Sequence, residues 1–283
     1  MVTALTEANY EPPRAKRLLA RMYAVMRVHA FDELRRRVMG PVLMAINYHS
    51  TPSAFAQSFE RQLAWYSATF ASMKPEDLGS FLGGRWQGAA PALMLHFDDG
   101  FLEHATVAAP LLEKHGMRGW FHLVTDAVDR ASAGVLTPER SMTWDHARAL
   151  ARRGHAICSH TRSHRRLKAG LSDAELEYEI LGSFDRLAAE LSEEPLGFCW
   201  PGGEDDAYGE RALRLIASRY RYAFPSFTKP IKCGDSPYCL PRSNVEAQWS
   251  IDAVRLSLGG LWEWKHRRRA AGYARTVAVA LDA

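Results

Sequence analysis

The feature that most constrains this chain is an alternation between short apolar runs and stretches of helical periodicity. Pro41 opens the run Val42-Leu43-Met44-Ala45-Ile46. Ala92 to Phe97, Trp120 to Val124, Ala156-Ile157-Cys158, Leu196 to Trp200, Tyr222 to Phe224 and Leu240 to Val245 read the same way, as short strands. Between them, Ser53 to Phe70 repeats Phe55, Phe59, Leu63 and Tyr66 at helical spacing. His104 to His115 and Tyr208 to Ser218 are helix-like, and Thr143 can cap a helix ending near Arg153-Gly154. Ser172 and Glu175 form a capping box for a helix running to about Leu191. The Gly-rich residues 79–91 read as a loop. Strand-helix alternation with short connections predicts a parallel α/β sheet or barrel.

Both ends depart from this pattern. Residues 14–38 predict a helix with Leu18, Leu19, Met22, Val25 and Met26 on one apolar face. Lys16, Arg17, Arg21, Arg27, Arg35, Arg36 and Arg37 crowd this end, and Lys265, Arg267, Arg268 and Arg269 crowd the other, beside Trp262 and Trp264. The expected organisation is an N-terminal helical extension over 1–40, a central α/β domain over 41–258 and a basic C-terminal helix over 259–283. The net charge is only +4. Basic, tryptophan-bearing ends suit peripheral contact with an anionic membrane surface, and solvated helix faces are the plainer reading. No reader motif points to nucleic acid.

No run approaches the roughly 20 apolar residues needed to span a bilayer. Met1 to Arg14 lack the pattern of a secretory signal, so the expectation is a cytoplasmic protein, peripheral at the inner membrane face where its ends touch lipid. Cys158, Cys199, Cys233 and Cys239 are too few and scattered for a disulfide scaffold, form no C-x-x-C pair and are expected as free thiols.

Three polar signals each follow a strand: Asp98-Asp99-Gly100, His160 to His164, and Pro201-Gly202-Gly203. Parallel α/β folds gather their active sites at the C-terminal ends of strands, so these signals should meet on one rim. His160 and His164, four apart, would share one side of a helical turn. Two histidines and one carboxylate with an open position make a catalytic zinc arrangement, leaving a second carboxylate to take a proton from water.

These residues carry a resemblance. His96-Phe97-Asp98-Asp99-Gly100 resembles the T-F-D-D-G motif of the polysaccharide deacetylase family (carbohydrate esterase family 4, the NodB-homology domain). Gly154 to His164, G-H-A-I-C-S-H-T-R-S-H, resembles its histidine segment, and Phe198 to Gly203 resembles its third motif. The similarity covers roughly residues 41–245. It implies a distorted (β/α) barrel with extra basic helices at both termini, and a divalent metal, usually zinc. By position it implies Asp98 as general base, Asp99, His160 and His164 as metal ligands, and the Gly202 N–H as oxyanion donor. The implied reaction removes an N-acetyl group from an amino sugar in a glycan or lipid-linked sugar.

Two departures matter. The Leu-x-His motif that supplies the acid in many relatives is absent after Asn244. Asn47-Tyr48-His49 resembles the Y-H segment of poly-N-acetylglucosamine deacetylases with permuted motif order, which nominates His49 as acid. The Arg that orients the base in the main branch is replaced by Cys199, and Arg242 is the candidate substitute; a structural salt bridge is the other reading of Arg242. Trp200 is a candidate wall for a sugar ring, His96 and His122 are expected to pack without ligating metal, and His104, His115 and His146 carry no signal. An amidase or deformylase of a small substrate, or a non-catalytic carbohydrate-binding relative, remain alternatives on the same scaffold.

Overall fold

The apolar runs pair side by side as expected and build the centre of the molecule. A computed structural model describes residues 12–281 except 39, 136–139, 169 and 204–206. Its strands are β1 (Val42–Tyr48), β2 (Ala71–Ser72), β3 (Ala92–Phe97), β4 (Gly119–Leu123), β5 (Ala156–Ser159), β6 (Gly197–Cys199), β7 (Tyr222–Phe224), β8 (Ile231–Lys232) and β9 (Ser243–Asn244). They run in the order β7-β6-β5-β4-β3-β1-β8, with β2 on β3 and β9 on β1. The pairings from β1 to β7 are parallel, and β8 joins antiparallel. Every residue of β1, β3, β4 and β5 is buried, which is why these strands read as unbroken apolar runs.

The helices are α1 (Arg14–Val25), α2 (Val28–Val38), α3 (Ala56–Thr69), α4 (Leu78–Leu82), α5 (Ala109–Lys114), α6 (Thr125–Ser132), α7 (Trp144–Arg152), α8 (Asp173–Leu191), α9 (Glu210–Arg219), α10 (Ile251–Ser257) and α11 (Gly260–Leu281). The capping box at Ser172 and Glu175 opens α8, and Thr143 caps α7. One helix expected over 14–38 is two, because the chain turns at Arg27 with φ 54°. Leu78–Leu82 adds a helix that begins just before the expected loop over 79–91 and runs into it, and α6 and α10 are further additions.

The sheet curls into a distorted barrel, and its closure is irregular. The segment after Pro237 first follows β7, with Leu240 N–H donating to Ala223 O at 3.2 Å and Arg242 N–H to Pro225 O at 3.0 Å. It then crosses to β1, where Ser243 and Asn244 pair with Ile46 and Asn47. A strand expected over 240–245 is thereby split between two partners. That crossing carries Arg242 into the barrel.

The terminal helices are packed onto the domain. Ala20 and Tyr23 of α1 belong to the main core cluster, and Tyr273, Val277 and Ala280 of α11 bury in a second one with α8 and α9. Residues 1–11 of the expected extension lie outside the described residues.

Candidate active site

Asp98 and Asp99 face different partners because the backbone turns between them. Asp98 N–H donates to Tyr48 O at 2.9 Å, carrying the β1–β3 ladder one residue past the strand. Asp99 and Gly100 then adopt left-handed φ values of 72° and 71°. Aspartate tolerates that region better than most residues. At Gly100 a Cβ would also lie 3.0 Å from Leu123 Cδ2, so the glycine is required twice.

The turn separates the two carboxylates. Asp98 Oδ1 accepts from Arg242 Nη1 at 2.6 Å, and Asp98 Oδ2 from Asn47 Nδ2 at 3.2 Å. Burial alone would raise the Asp98 pKa. The Arg242 guanidinium, with neighbouring histidines, instead holds it well below the usual carboxylate range. Arg242 is itself only 1% exposed, so each charge answers the other. Arg242 Nη2 also reaches Cys199 Sγ at 2.8 Å. The Arg242 guanidinium enters from the crossing segment between β7 and β1 to meet Asp98 beside Cys199.

Asp99 Oδ1 is buried and has no hydrogen-bond partner among the described residues. It lies 3.4 Å from His160 Nε2 and 3.2 Å from His164 Nε2. His160 Nδ1–H donates to Cys199 O at 3.0 Å, which leaves Nε2 as the lone-pair nitrogen facing Asp99. Burial lowers the His164 pKa, but Asp99 beside it raises it above its ordinary value. Two imidazole nitrogens converging on an unsatisfied carboxylate oxygen is a donor set that can hold a divalent cation. Asp98, His160 and Cys199 also lie close enough to share a cation. That second set fits less well: Asp98 is engaged by Arg242, and burial pushes the Cys199 thiol up, keeping it protonated.

The two histidines do not share a helical turn. Thr161 and His164 have φ values of 65° and 63°, and side chains satisfy the loop's backbone. Ser159 Oγ accepts from Thr161 N–H at 3.1 Å, and Thr161 Oγ1 from His164 N–H at 3.0 Å. Buried Glu179 of α8 accepts from the backbone N–H groups of Arg162 and Ser163 at 3.1 and 2.9 Å. Left-handed residues in place of a helix bring the rings together, with centroids 4.9 Å apart.

His49 follows β1 on the same rim. Its Nδ1 pairs with Glu246 Oε1 at 3.3 Å. Burial works to lower its pKa, but Glu246, with Asp99 and Asp98 behind it, raises it to about 9. His49 is therefore an imidazolium at neutral pH. Gln62 of α3 donates to the backbone oxygens of Glu246 and Trp249 at 3.0 and 2.8 Å, fixing the loop that carries Glu246. His104, which had no sequence signal, is buried, and its Nε2–H donates to His49 O at 2.8 Å. Gly202 sits in the turn after β6 with φ 78°.

Trp200 does not wall the cleft. It is 1% exposed, its Nε1–H donates to Tyr273 OH at 3.0 Å, and its ring packs edge-on to Phe198 and Tyr208. Position at a strand end could not tell which way the indole turns. His96 and His122 bond to each other at 2.8 Å inside the barrel, apart from the convergent set. The described cysteines are all free. Asn47, Glu179 and Glu246 were not singled out from the sequence. Only Asn47 left a trace, as a polar residue two before His49 and hence on the same side of an otherwise apolar strand.

With this geometry in view, the relatives are informative. The family model for polysaccharide deacetylases matches residues 87–223. Over that stretch, just under half its length, the chain matches the polysaccharide deacetylase family. It is a hydrolase of the carbohydrate-deacetylating type. The match takes in Asp98, Asp99, His160, His164 and Gly202, and stops short of His49 and Arg242 on either side. The YxkH protein of Bacillus subtilis (strain 168), itself named only provisionally as a polysaccharide deacetylase, is 22% identical over 225 residues, 77% of this chain and 72% of its own. The Streptococcus pyogenes deacetylase PplD, solved with acetate, superposes with a TM-score of 0.63 at 18% identity, covering 77% of this chain and 96% of that one. A de-N-acetylase from Aggregatibacter actinomycetemcomitans gives 0.65 at 16% identity, covering 77% and 99%. At these identities the superpositions establish the shared fold.

Proposed function

We propose that this polysaccharide deacetylase family member is a metal-dependent N-deacetylase of N-acetylated amino sugars, in a glycan or a lipid-linked sugar. The observation that carries the reading is Asp99 Oδ1, buried and unpartnered where two histidine nitrogens converge, beside a second aspartate held ionised by Arg242. Asp99, His160 and His164 hold the ion, and zinc suits this mixed nitrogen and oxygen set. When bound, a divalent ion supplies Lewis acidity to the acetyl carbonyl and lowers the pKa of an adjacent water.

The chain's own residues do the rest. Asp98 accepts the water's proton; Arg242 and Asn47 orient it and keep it a carboxylate, at the expense of its basicity. The Gly202 N–H takes charge developing on the carbonyl oxygen. His49, protonated at neutral pH, delivers a proton to the nitrogen, which leaves as an amine. Glu246 retains the imidazolium and, through Nδ1, sets which nitrogen gives up its proton.

Acetate release from a panel of N-acetylated monosaccharides, oligosaccharides and lipid-linked sugars tests the reading, with metal stripped and restored. Release that needs metal and disappears in Asp98→Asn is expected. Undiminished release by the stripped protein, or by that variant, overturns it.

A further inference from the structure

The α1–α2 hairpin is turned with its apolar side out. On α1, Ala20 and Tyr23 face the core, whereas Leu18, Met22, Val25 and Met26 form a second apolar stripe that is exposed, Val25 by 83%. On α2 the inversion is complete. Asp32 and Arg36 are buried, and Phe31, Leu34 and Val38 face outward, Val38 by 74%. Polar contacts lock the helix this way: Asp32 accepts from Tyr23 OH and, at 3.2 Å, from Gly260 N–H, and Arg36 Nη1 donates to Leu258 O at 3.2 Å. Leu261 and Trp264 at the start of α11 continue the exposed surface, and a groove of about 450 Å³ between Met22, Met26, Phe31 and Leu261 joins the three helices. Nine of the thirteen exposed large hydrophobic residues described in the protein lie on this one platform.

Charge indicates what covers it. Arg14, Arg17, Arg21 and Arg27 are exposed along α1 and its exit, as are Lys265, Arg267 and Arg268 beside Trp264. No acidic residue described on α1, α2 or α11 is exposed; Asp32 is buried and Glu33 and Glu263 are partly so. An apolar stripe fringed by cations alone matches the interface of an anionic bilayer, where side chains enter the acyl boundary and cations meet headgroups. No described helix is long and apolar enough to cross a membrane, so the helices would lie in its plane.

We propose that the α1–α2 hairpin, with the start of α11, is an in-plane anchor that seats the protein on an anionic lipid bilayer beside its catalytic cleft. The inner side of the same hairpin reaches a cavity that shares Arg242 with the site. Lys16 of α1 lies over the rings of Trp249 and Trp262 at 3.8 and 4.8 Å, and lines a polar cavity of about 370 Å³ with Gly203 and Arg242. Docking therefore brings lipid headgroups and the deacetylation site to one edge, a placement that rests on the proposed function only for its consequence.

The test is flotation of the full chain with vesicles of phosphatidylglycerol and phosphatidylcholine, against phosphatidylcholine alone, without substrate. Binding at least about 10-fold stronger to the anionic vesicles is expected. The pair Phe31→Glu and Leu34→Glu should weaken it at least about 10-fold, and the pair Arg21→Gln and Arg268→Gln several-fold. Circular dichroism, and acetate release from a soluble substrate within about twofold of the unmodified chain, confirm that the variants fold. No preference for anionic vesicles overturns the anchor. So does a dimer in light scattering that the Phe31 and Leu34 changes dissolve, which would assign the face to a second copy. Flotation is read without turnover, so loss of the deacetylase reading would leave the anchor standing.

Discussion

The barrel rim and the terminal hairpin each bury an aspartate and an arginine, and to opposite ends. At the rim, Asp98 and Arg242 meet at 2.6 Å below a cluster of donors that lacks one partner. On the hairpin, Asp32 and Arg36 turn inward to Tyr23, Gly260 and Leu258, and the residues displaced to the outside are apolar. In both places the buried aspartate and arginine each find a polar partner. What stands out is a carboxylate oxygen between two imidazoles at one site and an exposed apolar stripe at the other. These features carry what is proposed for each region: a cation and substrate at the rim, a lipid bilayer at the hairpin.

That contrast can be broken at several points. The largest effect should come from Asp99→Ala or His160→Ala, each removing bound metal, measured by elemental analysis, and lowering acetate release at least about 10⁴-fold. Metal retained by Asp99→Ala with activity lost would move the cation to the set of Asp98, His160 and Cys199. His49→Ala should lower kcat by about 10²–10⁴-fold while metal content holds, as expected for loss of a general acid. Arg242→Ala leaves Asp98 charged in the core without its ion-pair partner. It should cost about 3–5 kcal/mol in denaturant unfolding, far above the effect of an exposed arginine.

A pH profile sharpens the assignment of the acid. The folded pKa of His49, about 9, lies above its ordinary value of 6.5, so its proton is present at neutral pH and lost as pH rises through the folded value. The alkaline limb of kcat should fall in that window. Glu246→Gln should move the limb down toward 6.5, because Glu246 contributes most to raising it. A limb that stays in place assigns the acid to another group. The smallest effect belongs to the hairpin's outer stripe: Leu34→Ser should change unfolding free energy by no more than about 0.5 kcal/mol, since the side chain is exposed. A loss of several kcal/mol would mean the stripe is covered in the free protein.

Much of the rim was legible because its signals are local. Asp98-Asp99-Gly100 marks a strand end and a turn, the histidine segment marks another, and apolar runs without alternation place both in a parallel sheet. The spacing of His160 and His164 pointed to a pair that does converge, but for the wrong geometric reason. Helical spacing and a loop with two left-handed residues both bring positions four apart together, and only the hydrogen bonds from Ser159, Thr161 and Glu179 select the loop. Trp200 was misplaced because a strand end offers an indole both the cleft and the core, and Tyr273, far along the chain, supplies the partner that decides.

The sequence by itself determined the strands, the alternation that makes them parallel, and the aspartates and histidines that could share a rim, since each follows from neighbours along the chain. The tertiary structure decided the partners. Arg242 reaches Asp98 across 144 positions because the closing segment leaves β7 for β1. Glu246 reaches His49 across 197. The apolar face legible in residues 14–26 could have pointed either way, and the buried contacts of Asp32 and Arg36 on the next helix help turn it outward. Periodicity records that a helix has an apolar side; which side meets the core depends on polar partners that sequence neighbours do not supply.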